Sequence, residues 1–108
     1  MMYRLYFYFL EVFMRVLDTR ELREREVINV CTGEKLGFIS DLVLDADCGQ
    51  ILSVKIPRGS GGFNLFKREQ YIIPWCRIEC IGEDTVLVKL SERELCDFLS
   101  TKGKRKRC

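Results

Sequence analysis

Short apolar runs separated by turn residues are the feature of this 108-residue chain that most limits its fold. The runs are rich in valine, isoleucine and aromatic residues, and turn residues interrupt them roughly every eight to twelve positions, a spacing typical of small barrels and sandwiches. No long helical pattern lies between the runs, so the sequence does not favour a parallel α/β sheet. The pattern predicts one all-β domain, with strands at residues 27–30, 36–45, 51–56, 71–75, 78–81 and 85–90.

Glycine and proline mark the ends of several predicted strands. Residues 32–35 contain Gly33 and are expected to form the turn between the first two strands. Residues 47–50 predict a hairpin turn, because Gly49 can adopt a positive φ at little cost. Pro57 is expected to end the pairing of the third strand, since proline has no N–H to donate.

Two short helical segments are predicted at the borders of the strand region. Thr19 is expected to cap a single helical turn at residues 19–22, with Leu22 turned inward. Ser91 and Glu94 have the spacing of a capping box, in which each side chain reaches the backbone N–H of the other residue. We therefore expect a short C-terminal helix, with an apolar face formed by Leu95, Phe98 and Leu99.

The N-terminal residues differ in composition from the strand region. Residues 1–13 are crowded with tyrosine and phenylalanine, and Met14 offers a second start. We predict that Met14 is the natural start and that residues 1–13 are an upstream extension; the alternative is an interfacial anchor formed by the aromatic rings. The apolar run at residues 5–10 is too short to cross a bilayer, which needs roughly 20 apolar residues.

The absence of histidine limits the chemistry available to the chain. It removes the commonest general base, the Ser-His and Cys-His nucleophile pairs, and the commonest metal ligand. The net charge is only +2, so overall charge does not indicate nucleic acid or membrane binding. We therefore expect a protein that is not an enzyme, has no catalytic residues and binds no cofactor.

The six cysteines are interpreted as reduced thiols. An even number would suggest disulfides in a secreted chain, but no signal-peptide cleavage site follows the apolar N-terminal run. We therefore expect a cytoplasmic protein with buried structural cysteines. Cys76 and Cys80 form only one closely spaced pair, whereas zinc knuckles use two. Asp41, Asp45 and Asp47 lack the spacing of an EF-hand, so no metal site is predicted.

A family resemblance extends over residues 14–90. It rests on the segments 36–39 (Leu-Gly-Phe-Ile), 71–75 (Tyr-Ile-Ile-Pro-Trp) and 86–88 (Val-Leu-Val), in combination with the glycines between the strands. With this spacing the chain resembles the PRC-barrel. The Gly-Phe-Asn-Leu-Phe sequence at residues 62–66 makes it similar to the YlmC/YmxH family of sporulation proteins in spore-forming Firmicutes. The resemblance implies a small six-stranded β-barrel at residues 14–90, used as a protein-contact module.

The glycine-rich loop at residues 58–68 is the candidate partner-binding site. Apolar side chains on a loop of so small a protein favour contact with a partner or a second copy. The alternative is that they fold back as a lid on one end of the barrel. A phosphate-binding loop is not expected, because no Gly-Lys-Ser/Thr sequence opens a helix here. The predicted contact residues are Phe63, Leu65 and Phe66, with Arg58, Lys67 and Arg68 as a polar rim.

The end of the chain, residues 91–108, combines the predicted helix with a basic tail. Nucleic acid or an anionic membrane is one expected partner of this tail, and a disordered solubilising end is the alternative. Cys108 is not a prenylation signal, because three further residues would have to follow it. The basic residues are Lys102, Lys104, Arg105, Lys106 and Arg107.

Two functions remain open on the sequence. The first is a non-enzymatic interaction module linked to sporulation, whose partner is an unidentified protein or a second copy in a homodimer. The alternative is an RNA- or ribosome-associated accessory factor, by analogy with the PRC-barrel of RimM, which would use the basic tail. Salt separates them, because phosphate-driven binding weakens steeply as salt rises whereas apolar contact does not.

Overall fold

The computed structural model describes residues 16–58, 69–101 and 104–105. These residues form nine strands, two α-helices and one short 3-10 helix at Trp75–Arg77. The helices are α1 (Thr19–Arg23) and α2 (Glu92–Asp97). The strands are β1 (Glu26–Asn29), β2 (Glu34–Phe38), β3 (Asp41–Asp45), β4 (Gln50–Pro57), β5 (Glu69–Pro74), β6 (Ile78–Ile81), β7 (Thr85–Val88), β8 (Leu99–Thr101) and β9 (Lys104–Arg105).

The strands are arranged in two sheets. The first has the order β2-β1-β7-β6 and the second has the order β3-β4-β5-β8-β9. Strands β1 and β7 pair in parallel, and the other pairs are antiparallel. The all-β prediction is confirmed. The expected six strands in one closed barrel are wrong for the described residues, which form nine strands in two sheets.

Two of the three additional strands, β8 and β9, lie in the C-terminal part of the chain, and the third results from a break within the strand predicted at residues 36–45. Strand β2 ends at Phe38 in the first sheet, and β3 starts at Asp41 in the second. Between them Ile39 is buried, and the Ser40 N–H donates to the Lys55 carbonyl at 2.8 Å. The chain therefore passes from one sheet to the other at this point. Apolar alternation continues through the break, so the sequence pattern did not reveal it.

One apolar core holds the two sheets together. It draws on both sheets, both helices and the segments that follow β2 and β7. Burial of this apolar surface is the main driving force for folding. The buried members are Leu22, Val27, Leu36, Ile39, Val54, Ile56, Tyr71, Ile73, Val86, Val88, Leu90, Leu95 and Leu99.

The β3–β4 hairpin follows the predicted turn. Gly49 has a φ of +73°, which confirms the glycine conformation expected there. Pro57 is the last residue of β4, but it does not end the pairing as predicted: it lies opposite Gln70 of β5, and the next residue, Arg58, donates its N–H to the Glu69 carbonyl. The register between β3 and β4 shifts at Leu52, which has no partner of its own on β3. Such a bulge turns side chains away from the regular alternation.

Both helices have capping boxes, but one cap differs from the prediction. Asp18, not Thr19, caps α1: its carboxylate accepts the Glu21 N–H at 2.8 Å. A carboxylate one position earlier reaches the third residue of the helix, which leaves Thr19 within the first turn. The predicted box of Ser91 and Glu94 at the start of α2 is confirmed.

The end of α2 also departs from the sequence prediction. The helix stops at Asp97, and Phe98 is its C-cap. Leu99 is buried, but it begins β8 and pairs with Tyr71 of β5 instead of continuing the helical face. The C-terminal part of the chain therefore extends the second sheet.

Candidate interaction surface

The predicted loop site is described only at its base. Phe63, Leu65, Phe66, Lys67 and Arg68 lie outside the described residues. At the base, the Arg58 N–H donates to the Glu69 carbonyl at 2.9 Å, which continues the β4–β5 pairing. The Arg58 guanidinium lies 3.7 Å from the Glu69 carboxylate, and about half of its side chain is exposed.

A small pocket of about 220 Å³ lies beside the loop base, between β5 and α2. Tyr71 and Leu95 line it together with the charged side chains of Glu34, Arg58 and Glu92. Burial raises the pKa of Tyr71; Arg58 opposes the rise and the Glu34 and Glu69 carboxylates add to it, so the phenol stays neutral at physiological pH. The pocket thus offers a neutral hydroxyl and an apolar wall next to the loop.

A larger open groove lies where α1 meets the ends of β2 and β4. We call this surface the α1 groove; its volume is about 710 Å³. Phe38, which is 50% exposed, and Pro57 form its apolar part. The lining residues are Arg20, Arg23, Glu24, Phe38, Ile39, Ser40 and Pro57.

The charged edge of the α1 groove comes from α1. Arg20 lies 3.6 Å from Glu24 one helical turn away, and both side chains are largely exposed. Exposed pairs of this kind contribute little, about 0.3–0.5 kcal/mol on a helix, so Arg20 is readily available to another anion. Arg23 is exposed and makes no ion pair with any described residue. The groove therefore combines an apolar floor with two arginines.

The far end of the β3–β4 hairpin carries a second apolar surface. We call residues Leu44, Asp45, Asp47 and Leu52 the hairpin tip; Asp45 is half-buried and the other three are exposed. Leu44 is 54% exposed and Leu52 is 50% exposed. The Asp47 N–H donates to the Asp45 carboxylate at 3.0 Å, and this bond, with the Cys48 thiol, lowers the pKa of Asp45. The tip is thus apolar and negatively charged.

An ion pair connects α2 to the 3-10 helix. The Arg77 guanidinium contacts the Glu94 carboxylate and lies 6.0 Å from the centre of the Phe98 ring. The Ser91 backbone hydrogen bond lowers the pKa of Glu94, and Arg77 adds to the effect. These contacts fix α2 against the strand region.

The cysteines contradict the prediction of buried thiols. Cys31, Cys48, Cys76 and Cys80 are free and exposed. Cys96 is half-buried and disulfide-bonded, so the prediction of a reduced thiol is wrong at this position. The exposed positions lie in turns, in the 3-10 helix and on the outer side of β6, where strand alternation does not direct the side chain to the core. Among the described residues, no group of three or more cysteines or carboxylates is placed to hold a metal ion.

The basic tail is described only in part. Lys104 and Arg105 form β9, which pairs with β8. Lys102, Lys106 and Arg107 lie outside the described residues. Neither described helix is long and apolar enough to cross a membrane.

Comparison with known proteins identifies the family. The family model of the PRC-barrel domain matches residues 14–95. The chain belongs to the PRC-barrel family. Within this PRC-barrel family, it is similar to the "Probable sporulation protein YlmC" of Bacillus subtilis, at 36% identity over 78 residues, covering 71% of this chain and 96% of the relative.

Two further relatives support the same grouping. The "Uncharacterized protein YmxH" of Bacillus subtilis is 32% identical over 75 residues, covering 67% of this chain and 87% of the relative. An uncharacterized protein of Clostridium acetobutylicum is 36% identical over 67 residues, covering 62% of this chain and 77% of the relative. The predicted resemblance to the YlmC/YmxH proteins is confirmed.

The sequence pattern does not indicate the α1 groove or the hairpin tip. Phe38 and Leu44 lie in the apolar alternation that was assigned to one strand, and this alternation does not show that both side chains are exposed. The sequence signal for a break next to Phe38 is Gly37, because a glycine inside a strand pattern often marks a bend or a close backbone approach. Gly37 has a φ of +113°.

Proposed function

We propose that this PRC-barrel protein is a non-enzymatic interaction module that acts in the cytoplasm during sporulation. The observation that carries the proposal is the similarity to a probable sporulation protein over 96% of that relative's length. The partner is another protein, bound through Phe63, Leu65 and Phe66 with Arg58 as part of the rim. The rigid base formed by Arg58 and Glu69 supports this role, because a loop with fixed ends loses less freedom on binding.

The interaction role is also favoured by what the described surface offers. The two cavities are lined by apolar and charged side chains, and histidine is absent from the chain. A binding surface needs this combination of an apolar centre with a polar rim. A site for nucleophilic catalysis needs a nucleophile and, commonly, a base within hydrogen-bond reach.

The sporulation role is tested in the spore-forming organism that encodes the protein. Its gene is deleted and replaced either by the normal gene or by the variant Phe63→Ser with Phe66→Ser, and heat-resistant spores are counted. The proposal predicts that the deletion and the variant both lower the spore count and that the normal gene restores it. An unchanged spore count in the deletion strain would contradict the link to sporulation.

The basic tail supports a second candidate, an RNA- or ribosome-associated accessory factor. Five of the last seven residues are lysine or arginine. Such a segment binds phosphate through charge alone, so its binding weakens steeply with salt. Deletion of residues 102–108 separates this candidate from the first, because loop-mediated binding does not require the tail.

A further inference from the structure

We propose that two copies of this chain associate by placing the hairpin tip of each copy in the α1 groove of the other. The α1 groove includes Pro57, which precedes the loop at residues 58–68, but none of the loop residues themselves. The contact is therefore a property separate from the proposed function.

The two surfaces match in polarity. The hairpin tip presents Leu44 and Leu52, each at least half exposed, and the α1 groove presents Phe38 and Pro57. Exposed apolar patches on a small protein commonly mark contact surfaces. The described part of the chain has five large apolar residues that are markedly exposed, and three of them belong to these two surfaces: Phe38, Leu44 and Leu52.

The two surfaces also match in charge. The tip carries the carboxylates of Asp45 and Asp47, and the groove carries two guanidiniums, of Arg20 and Arg23, against the single carboxylate of Glu24. Arg23 has no ion-pair partner among the described residues, and Arg20 has only an exposed one. Opposite charges at matching surfaces speed association and select the correct partner. An acidic apolar projection is thus suited to a basic apolar groove.

The tip of one copy does not reach the groove of the same copy. Ser40 and Pro57 of the groove lie at one end of the β3–β4 hairpin, and the tip lies at the other end. The eight residues of β4 span roughly 24 Å at about 3.4 Å per residue. Because β4 is paired with β3 on one side and β5 on the other, the hairpin does not fold back onto its own groove.

The tip is free to enter another molecule. Strand β5 pairs only with the residues of β4 from Ser53 to Pro57. Gln50 and Ile51 pair with β3 alone among the described strands, and Leu52 is the unpaired residue of the bulge. The tip therefore projects beyond the rest of the second sheet, and the bulge at Leu52 holds that side chain in the solvent.

A two-fold arrangement satisfies both contacts at once. Tip and groove lie at opposite ends of the same hairpin, so two antiparallel copies can exchange tips and form a closed pair, which is the commonest oligomer symmetry. The alternative dimer, in which β3 of one copy pairs edge to edge with β3 of the other, is less favourable than the exchange of tips. In antiparallel register centred on Val43 it would place Asp41 opposite Asp45 of the second copy, and like charges directly opposite are destabilising.

Complementation between two variants of the full chain tests the proposal. The tip variant is Leu44→Ser with Leu52→Ser, and the groove variant is Arg23→Glu with Phe38→Ser. The matched control is Val30→Ser with Arg93→Glu, which changes an exposed valine and an exposed helix arginine away from both surfaces. Sedimentation velocity reports the mass, and circular dichroism reports the fold.

We expect the normal chain and the control to form dimers and each variant to be monomeric. A mixture of the two variants keeps one intact tip and one intact groove, so it should form dimers that contain one copy of each. A tagged tip variant should then capture the groove variant but not a second tip variant. Arg23→Glu alone serves as a groove variant that leaves the strand unchanged, and it should reduce capture of the tip variant.

Three results would overturn the proposal. They are a monomeric normal chain at every soluble concentration, variants that still pair with themselves, and a mixture that forms no dimer. The loop variant Phe63→Ser with Phe66→Ser should keep self-association. Failure of the tip–groove contact therefore leaves the proposed function intact, and failure of the loop hypothesis leaves this contact intact.

Discussion

Asn29 and Leu90 are joined by a pair of buried hydrogen bonds. The Asn29 Nδ2 donates to the Leu90 carbonyl at 2.8 Å, and the Leu90 N–H donates to the Asn29 Oδ1 at 2.9 Å. Asn29 is fully buried at the end of β1, and Leu90 lies between β7 and α2. The amide thus fixes the position from which α2 begins.

Replacing Asn29 with alanine should destabilise the fold markedly. Both backbone groups of Leu90 would lose a buried partner, and each unsatisfied group costs about 1–3 kcal/mol. Urea unfolding measures the loss. Thr32→Ala is the control, because Thr32 is exposed and its hydroxyl accepts only from the same amide and from the exposed Glu34 N–H. An Asn29→Ala protein as stable as the Thr32→Ala protein would contradict this role.

The N-terminal cap of α1 depends on Asp18 and not on the adjacent Thr19. Asp18→Ala should lower the free energy of unfolding by about 0.5–2 kcal/mol, because the Glu21 N–H loses its acceptor. Thr19→Ala should change it by no more than about 0.5 kcal/mol, as expected for an exposed site. Thermal unfolding of both variants measures the difference. Equal losses would mean that Thr19 shares the capping role.

The lowered pKa of Glu94 predicts a loss of stability in acid. A carboxylate whose pKa is lower in the folded state stabilises the fold above the ordinary glutamate pKa, and the effect is lost as pH falls through the folded value. Unfolding midpoints across acidic pH should therefore fall less for Glu94→Gln than for the normal chain. Glu92→Gln, an exposed change in the same helix, should keep the normal fall; parallel curves for all three proteins would contradict the prediction.

The backbone at Gly37 predicts a specific cost for any side chain. Its φ is +113°, and a Cβ would meet the Ile56 Cγ2 and the Pro57 carbonyl oxygen at 3.5 Å, which is ordinary contact. Gly37→Ala should therefore cost about 1–3 kcal/mol through backbone strain and not through a clash. Gly33→Asn is the control, because asparagine tolerates the φ of +73° at that open position. Denaturant unfolding compares the two, and similar stabilities would contradict the strain.

The sequence predicted the elements that depend on local pattern. The turn at Gly49, the capping box of Ser91 and Glu94 and the strand at residues 78–81 depend on near neighbours, and all three are confirmed. The passage between sheets at Ile39 and Ser40 was missed. There the hydrogen bond to Lys55, fifteen residues away, decides the path of the chain, and apolar alternation carries no information about it.

Less of the candidate interaction surface than of the fold could be predicted from the sequence. The loop stood out by composition, because phenylalanines among glycines are unusual. The α1 groove arises where a helix, the end of β2 and the end of β4 meet, so no single segment of sequence indicates it. Cys76 and Cys80 were expected to be buried because cysteine usually is, but their exposure depends on the direction of the 3-10 helix and β6.

Capture of partners from sporulating cells at low and high salt tests the central claim most directly. The baits are the full chain, the loop variant Phe63→Ser with Phe66→Ser, and a chain that lacks residues 102–108. The interaction-module account predicts one protein partner that resists high salt, binds the shortened chain and is lost with the loop variant. Recovery of nucleic acid alone, lost at high salt or with the tail, would contradict it.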